Sequence, residues 1–337
     1  MLASYLVRPG VIELREVPTP APSRGEILVK VMAALTCGTD LKAFQRGHPV
    51  IPMPGVFGHE FSGVVAAVGK GVRKFREGDE VMAVHSAPCR DCRFCRRGLY
   101  NLCERIMDTK VLGAFAEFVL LPAPIVKENA FGKPPQLSFG EAAFLEPLAC
   151  VVHGMEAARV GLGDTVVILG VGPIGLLHLL LARQRGARVV ITGLEDERLA
   201  TARQLGADLA VPPSALSEAV DGLTGGIGAD CVCECTGQPN VWEESVRYVR
   251  KGGTVILFGG CKTGTTVTYD THRLHYDELT LKGVFHFTPR DVGQARRLLT
   301  GHLQVTRLIT ATLPLGDLSL AFGKLANGEG IKYEIVP

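Results

Sequence analysis

Cys89-x2-Cys92-x2-Cys95-x7-Cys103 is the densest run of metal ligands in this chain. Thiols alone, with no histidine among them, make a closed tetrahedral site that leaves no position for a substrate, so the chemistry they point to is structural zinc. An iron–sulfur cluster takes the same ligand type and is the rival occupant. Arg90, Arg93, Arg96, Arg97 and Arg105 interleave the cysteines. No recognition helix with a second ligand pair follows, so they read as a solvated basic lobe and not as a nucleic-acid finger.

A second ligand set is dispersed: Cys37, then Gly58-His59-Glu60. Thiol, imidazole and carboxylate hold zinc with one position open, as a catalytic ion requires. A small buried hydrophobe at Cys37 and a plain turn at Gly58 are the bland alternatives. Nearby, Thr39 and Lys42 are polar groups able to pass a proton, and Asp40 is placed to orient a metal-bound imidazole. A helix capped by Thr39 or Asp40, with Lys42 solvated, accounts for the same residues. Further on, Ser138 and Glu141 form a capping-box pair that opens an apolar helix predicted to run to Glu146-Pro147. The Glu146 carboxylate is then either exposed at the helix end or held by something positive.

Asp164 to Leu169 reads as a buried parallel strand, followed by Gly170-Val171-Gly172-Pro173-Ile174-Gly175 and a helix to about Gly186. Strand, G-x-G-x-x-G and helix in that order is the context of a dinucleotide site, with the pyrophosphate on the free N–H groups at the helix start. The next strand, Arg188 to Thr192, should end in an acid for the adenosine ribose diol. That position is Gly193, with Glu195, Asp196 and Glu197 just beyond and Arg198 after them. A missing carboxylate tolerates a 2′-phosphate and Arg198 attracts one, whereas the neighbouring acids tilt the reading toward NAD over NADP. Thr236-Gly237 and Gly259-Gly260 close later strands, where ligands of open α/β sheets lie. Cys231, Cys233 and Cys235 alternate along one strand and read as a buried sheet face before a metal site.

The elements that must position these groups divide the chain. Its 337 residues exceed one comfortable core. Val11–Val17, Glu26–Val31, Gly63–Val68, Glu80–Val84 and Gly113–Val119 are predicted strands of an all-β, barrel-like unit. From about residue 147 the texture becomes alternating strand and helix, with strands at 209–211, 230–235, 253–258 and 279–285 and a helix over 289–300. The tail, Gly330 to Val336, reads as a strand returning to the first domain. A formal charge of +2 from 36 basic and 34 acidic residues argues against nucleic acid or an anionic membrane as the main partner. No signal-peptide pattern opens the chain, the most apolar run (Ile174–Ala182) is far short of a membrane span, and ten cysteines without an export signal point to ligands and thiols. A cytoplasmic location is expected.

Cys37-Gly38-Thr39-Asp40, Gly58-His59-Glu60, the four-cysteine lobe, Glu146-Pro147-Leu148 and Gly170–Gly175 occur in the order found in zinc-dependent medium-chain alcohol/polyol dehydrogenases, and the resemblance covers essentially the whole chain. Glu146-Pro147-Leu148 and Leu274–Thr280 make it most similar to the sorbitol (L-iditol 2-)dehydrogenase branch. The resemblance implies a GroES-like β-barrel catalytic domain over 1–146, a Rossmann doubly wound parallel-sheet domain over 147–290, and a segment 291–337 returning to the first. It implies two zinc ions, one structural on Cys89, Cys92, Cys95 and Cys103, the other catalytic on Cys37, His59 and Glu146, with Glu60 a direct or water-linked ligand.

On the same resemblance Thr39 relays the alcohol proton, Cys150 touches the nicotinamide, Lys332 lies near the pyrophosphate and Arg198 beside the adenosine ribose. Gly170, Gly172, Pro173, Ile174, Gly175, Gly193, Glu195, Thr236 and Gly259 complete the expected coenzyme contacts. Lys42 departs from the sorbitol pattern, which has histidine there. The implied activity is hydride transfer between a secondary alcohol (polyol, sugar alcohol or cyclitol-like) and NAD or NADP, by a homodimer or homotetramer. Phe44, Phe57, His85 and His286 are candidate cleft residues. Rival readings are a simple secondary-alcohol or threonine-type dehydrogenase, a zinc-free quinone or enone reductase, and a non-catalytic nucleotide sensor.

Overall fold

The computed structural model describes every residue from Met1 to Pro337. They form two units, Met1–Ala149 with Phe287–Pro337, and Cys150–His286. No helix is long and apolar enough to cross a membrane. The strands in chain order are β1 Leu2–Arg8, β2 Val11–Glu16, β3 Ile27–Leu35, β4 Gly55–Val56, β5 Phe61–Val68, β6 Glu80–Ala83, β7 Phe118–Leu121 and β8 Ala130–Gly132. They continue with β9 Thr165–Leu169, β10 Arg188–Thr192, β11 Leu209–Val211, β12 Ala229–Glu234, β13 Val249–Leu257, β14 Thr280–Gly283, β15 Ile309–Pro314 and β16 Lys332–Val336.

In the first unit, β2-β1-β4 form a small sheet, and β15-β16-β3-β5-β6-β8 form a larger one with β7 also on β3. The sheets are barrel-like in strand content but remain open. β3, Ile-Leu-Val-Lys-Val-Met-Ala-Ala-Leu, is apolar on both faces and almost wholly buried, which makes it a central strand. It pairs with β5 along its length, with β7 over residues 27–30 and with β16 at Ala34 and Leu35. The tail strand β16 therefore ends beside the residues that precede Cys37. Phe57, Phe115 and Phe322 fill the core there, with ring centroids 5.0–5.9 Å apart.

Two elements differ from their expected form. The strand predicted from Gly113 begins only at Phe118, because Gly113 and Ala114 donate to the Gly58 carbonyl and Phe115 to that of Phe57. The helix predicted to stop at Glu146-Pro147 is instead two helices. Ser138 and Glu141 form the expected capping box on Phe139–Ala143, and a second helix, Leu145–Ala158, starts where the first should have ended. Proline is tolerated there because the first turn of a helix needs no N–H from it. Glu146 thus opens a helix.

In the second unit β11-β10-β9-β12-β13-β14 form one parallel sheet. The order runs one way from β9 and resumes the other way at β12, so the chain reverses direction across the sheet beside β9, the place where such sheets take ligands at their carboxyl ends. β9 is buried at every residue, as a strand covered on both faces must be.

Candidate metal centres and coenzyme turn

Cys37 caps the helix Gly38–Arg46, its sulfur accepting a hydrogen bond from the Thr39 N–H at 3.4 Å. The cap is therefore Cys37, and Thr39 and Asp40 fall in the first turn with Asp40 fully buried. His59 is aimed by the residue before it. Gly58 has φ +86°, and a Cβ on it would lie 2.6 Å from the Phe115 ring, so only glycine lets the chain turn there. Asp40 Oδ2 then stands 3.5 Å from His59 Nδ1, and Glu146 Oε1 stands 3.3 Å from His85 Nδ1. The His59 and His85 rings meet edge to face at 5.1 Å.

Ligand atoms of Cys37, Asp40 and His59 lie within 4.8 Å of one another, as do those of His59, Glu60 and Glu146. His59 is the member common to both groups. Asp40 Oδ1 and Oδ2, His59 Nδ1 and Glu60 Oε1 are buried without a hydrogen bond, a cost that a cation among them would offset. The electrostatics say the same. Burial opposes a charged imidazole at His59, yet Asp40 and Cys37 outweigh it and hold its pKa well above 6.5. Burial pushes the Glu60 carboxyl up to about 7 against the pull of Lys332, with Glu146 adding to the rise. A cluster this short of positive charge takes a proton where a metal ion fits, and its donor set suits zinc.

Lys332 is buried with its ammonium on Glu60 and on the Thr36 carbonyl at 2.7 Å, while the Tyr333 N–H donates to Thr36 Oγ1 at 2.9 Å. The residue expected beside a pyrophosphate is thus committed to the cluster from beneath. Neither this pair nor the His85–Glu146 contact is visible in the sequence. Lys332 lies 272 positions from Glu60, and the only hint was a strand-like tail.

The four-cysteine lobe is a different object. Its ligand atoms lie within 4.8 Å of one another, with sulfur pairs at 4.0 Å (Cys89–Cys95) and 3.9 Å (Cys92–Cys103). Four Zn–S bonds of ~2.3 Å span a tetrahedron with edges of about 3.8 Å, so the spacing fits zinc. Backbone N–H groups of Asp91 and Cys92 pull the Cys89 thiol down to about 6, whereas burial pushes Cys95 up to about 12. Crowded thiols cannot all ionise without a counter-charge. The lobe's own core consists of these cysteines, Ile106 and Tyr100.

In the second unit each glycine of the turn has its own reason. Gly170 has φ +111°, a Cβ on Gly175 would sit 1.9 Å from the Gly170 carbonyl, and Gly172, which caps the helix Pro173–Gln184, faces open space. Those are the needs of a tight turn, of helix packed on strand, and of close approach by a ligand. Gly193 is explained by the same turn: its Cβ would lie 2.0 Å from Val171 Cγ1, so the ribose-anchoring acid has no room. Glu195 instead meets Arg198 at 3.4 Å. The buried Glu234 holds the backbone and hydroxyl of Thr236 and the Gly237 N–H, and a Cβ on Gly259 would strike Gly237 at 2.2 Å. Cys150 is half-buried where this unit begins. Cys231 and Cys233 are buried in the sheet.

Residues 23–128 match the alcohol dehydrogenase GroES-like domain family, and residues 173–301 match the zinc-binding dehydrogenase family. L-threonine 3-dehydrogenase of Bacillus velezensis is 33% identical, covering 96% of this chain and 95% of its own. Sorbitol dehydrogenase of Halalkalibacterium halodurans is 31% identical (97% and 96%), and D-arabitol-phosphate dehydrogenase of Enterococcus avium is 34% identical (95% and 92%). Among solved structures, a protein described as a zinc-binding dehydrogenase from Sinorhizobium meliloti 1021, bound to NADP, superposes with TM-score 0.89 at 32% identity over 100% of this chain and 99% of its own.

Proposed function

Because this chain belongs to the zinc-dependent medium-chain alcohol/polyol dehydrogenase family, we propose that it oxidises the secondary hydroxyl of a polyol, sugar alcohol or cyclitol-like compound with NAD or NADP. A threonine-type amino alcohol is the second reading, favoured by the relative from Bacillus velezensis. The observation that carries the proposal is the pair of buried ligand groups, Cys37 with Asp40 and His59, and His59 with Glu60 and Glu146, that share His59 and are short of positive charge. For the coenzyme, the closed space at Gly193 removes the acid that would repel a 2′-phosphate, and the NADP-bound relative supports that form. Glu195 beside Arg198 supports NAD.

A divalent ion held by Cys37, His59 and Glu146 supplies Lewis-acid polarisation of the alcohol oxygen, and the nicotinamide supplies the hydride acceptor. The chain's residues do the rest. Thr39, in the first turn of the helix that Cys37 caps, relays the alcohol proton, its hydroxyl accepting that proton as its own passes on to solvent. Asp40, 3.5 Å from His59 Nδ1, orients the imidazole ring. Glu60, paired with Lys332, would offer a further carboxylate within reach of His59 and Glu146. Gly172 opens the turn so that the coenzyme's pyrophosphate reaches the helix start.

No disulfide joins any of the ten cysteines, which suits a reducing, cytoplasmic setting. The outer edge of β14 is left unpaired, which suits self-association as a dimer or tetramer. The test is turnover of an alcohol panel by zinc-loaded protein with NAD and NADP in parallel, read by reduced-coenzyme absorbance. His59→Ala and Cys37→Ser should each lower turnover by ~1,000-fold or more. Full turnover in either variant, or in metal-stripped protein, defeats the mechanism.

A further inference from the structure

The segment that follows the cysteine lobe runs along the catalytic cluster. The Val111 N–H donates to the His85 carbonyl at 2.7 Å, and those of Gly113 and Ala114 donate to Gly58 at 3.1 and 3.2 Å. Lys110 stands at the head of this segment and reaches the loop after the helix Gly38–Arg46, where its Nζ lies 3.4 Å from the Val50 carbonyl. Val50 in turn donates its N–H to His48 Nδ1 at 3.4 Å. Lys110 is half-buried, its one hydrogen bond is long, and no carboxylate lies within ion-pair distance. Lys42 is on the same helix, one turn beyond Thr39, and Arg46 one turn further.

Burial lowers the Lys110 pKa while Asp40, Glu146 and Cys37 raise it, so its charge is within electrostatic reach of the cluster. His48 is lowered by burial and then by Lys110 and Lys42 together, with Arg46 adding to the fall and Asp40 opposing it, which places these cations in one field. The acids they face belong to the cluster itself. An ion on Cys37, His59 and Glu146 neutralises two of the negative charges, and Lys332 neutralises Glu60. Asp40 then remains, and Lys110 has no carboxylate of its own within ion-pair distance. A half-buried ammonium without a counter-ion is costly unless a ligand brings one.

We propose that the substrate is an alcohol carrying an anionic group, a phosphate monoester or a carboxylate, held by Lys110 while its hydroxyl addresses the buried ligands around His59. This rests on the dehydrogenase reading and narrows it: neutral polyols become the poorer substrates.

The test compares matched pairs on the zinc-loaded enzyme: a pentitol with its phosphate monoester, and a 3-hydroxy amino acid with its amide. The charged member of at least one pair should show kcat/KM about tenfold higher or more, and which pair responds separates phosphate from carboxylate. Lys110→Gln should shrink that ratio toward one, and Lys110→Arg should restore it. A second readout needs no turnover. Inorganic phosphate should raise the melting temperature of wild type and of Lys110→Arg but not of Lys110→Gln. Equal or better turnover of the neutral members, with no Lys110-dependent response to phosphate, overturns the inference and leaves the dehydrogenase reading standing. No oxidation of any alcohol sinks the dehydrogenase reading, and the phosphate response still decides whether the anion site exists.

Discussion

The molecule holds two candidate metal sites built in opposite ways. The lobe's ligands lie within fifteen residues, and little but the thiols themselves packs its interior. The ligand groups around His59 are gathered from far apart and are carried by β3, β5, β16 and two helix starts. On the proposed reading the metal makes the structure in the first, whereas in the second the structure makes the site and the metal would supply chemistry. Removing metal should therefore have different consequences at the two.

The largest effect is expected at the lobe. Chelation, or Cys92→Ser, should strip exchange protection from amides 89–107 while the cluster's shell stays protected, since structural zinc contributes up to ~10–16 kcal/mol when its loop is disordered without metal. Hydrogen exchange by mass spectrometry reads this directly. A lobe that stays protected after complete metal removal would erase the contrast.

Next is the buried pair under the cluster. Lys332→Met leaves Glu60 without its partner and should cost about 3–5 kcal/mol of unfolding free energy in a denaturant titration. Adding Glu60→Gln to it should return most of that loss. If the single variant is as stable as wild type, the pair does not support the site.

A buried imidazole outside both sites gives a control. His178 is enclosed with Nδ1 on the Ile174 carbonyl at 2.9 Å, Nε2 unpartnered, and the Phe258 ring at 4.9 Å. Burial lowers its pKa from 6.5 to about 4. The unfolded chain therefore binds the proton first, and stability is lost as pH falls from about 6.5 toward 4, by up to about 3 kcal/mol. His178→Phe should flatten that slope in melting curves taken across this range. An unchanged slope would mean other groups set it. His59, with Asp40 beside it, shows what a nearby carboxylate does to an equally buried ring.

The smallest change is expected from Asp40→Asn. It keeps the shape but weakens the orientation of His59, so metal affinity or turnover should fall about 10–100-fold with the melting temperature little moved. Wild-type metal affinity in this variant would assign Asp40 to packing alone.

Legibility in the sequence followed the distance between partners along the chain. The four-cysteine spacing, the capping box of Ser138 and Glu141 and the strand-turn-helix at Gly170–Gly175 are local, because each is completed within a few residues by backbone geometry or ligand spacing. The Glu60–Lys332 pair, the approach of His85 to Glu146 and the placement of Lys110 are products of β16 joining β3 and of loops lacing to Gly58 and His85. Gly193 shows the boundary most clearly. The sequence by itself determined that no acid ends β10; only the packing of Val171 against that strand decided that none has room there, because the obstacle comes from a different turn of the chain.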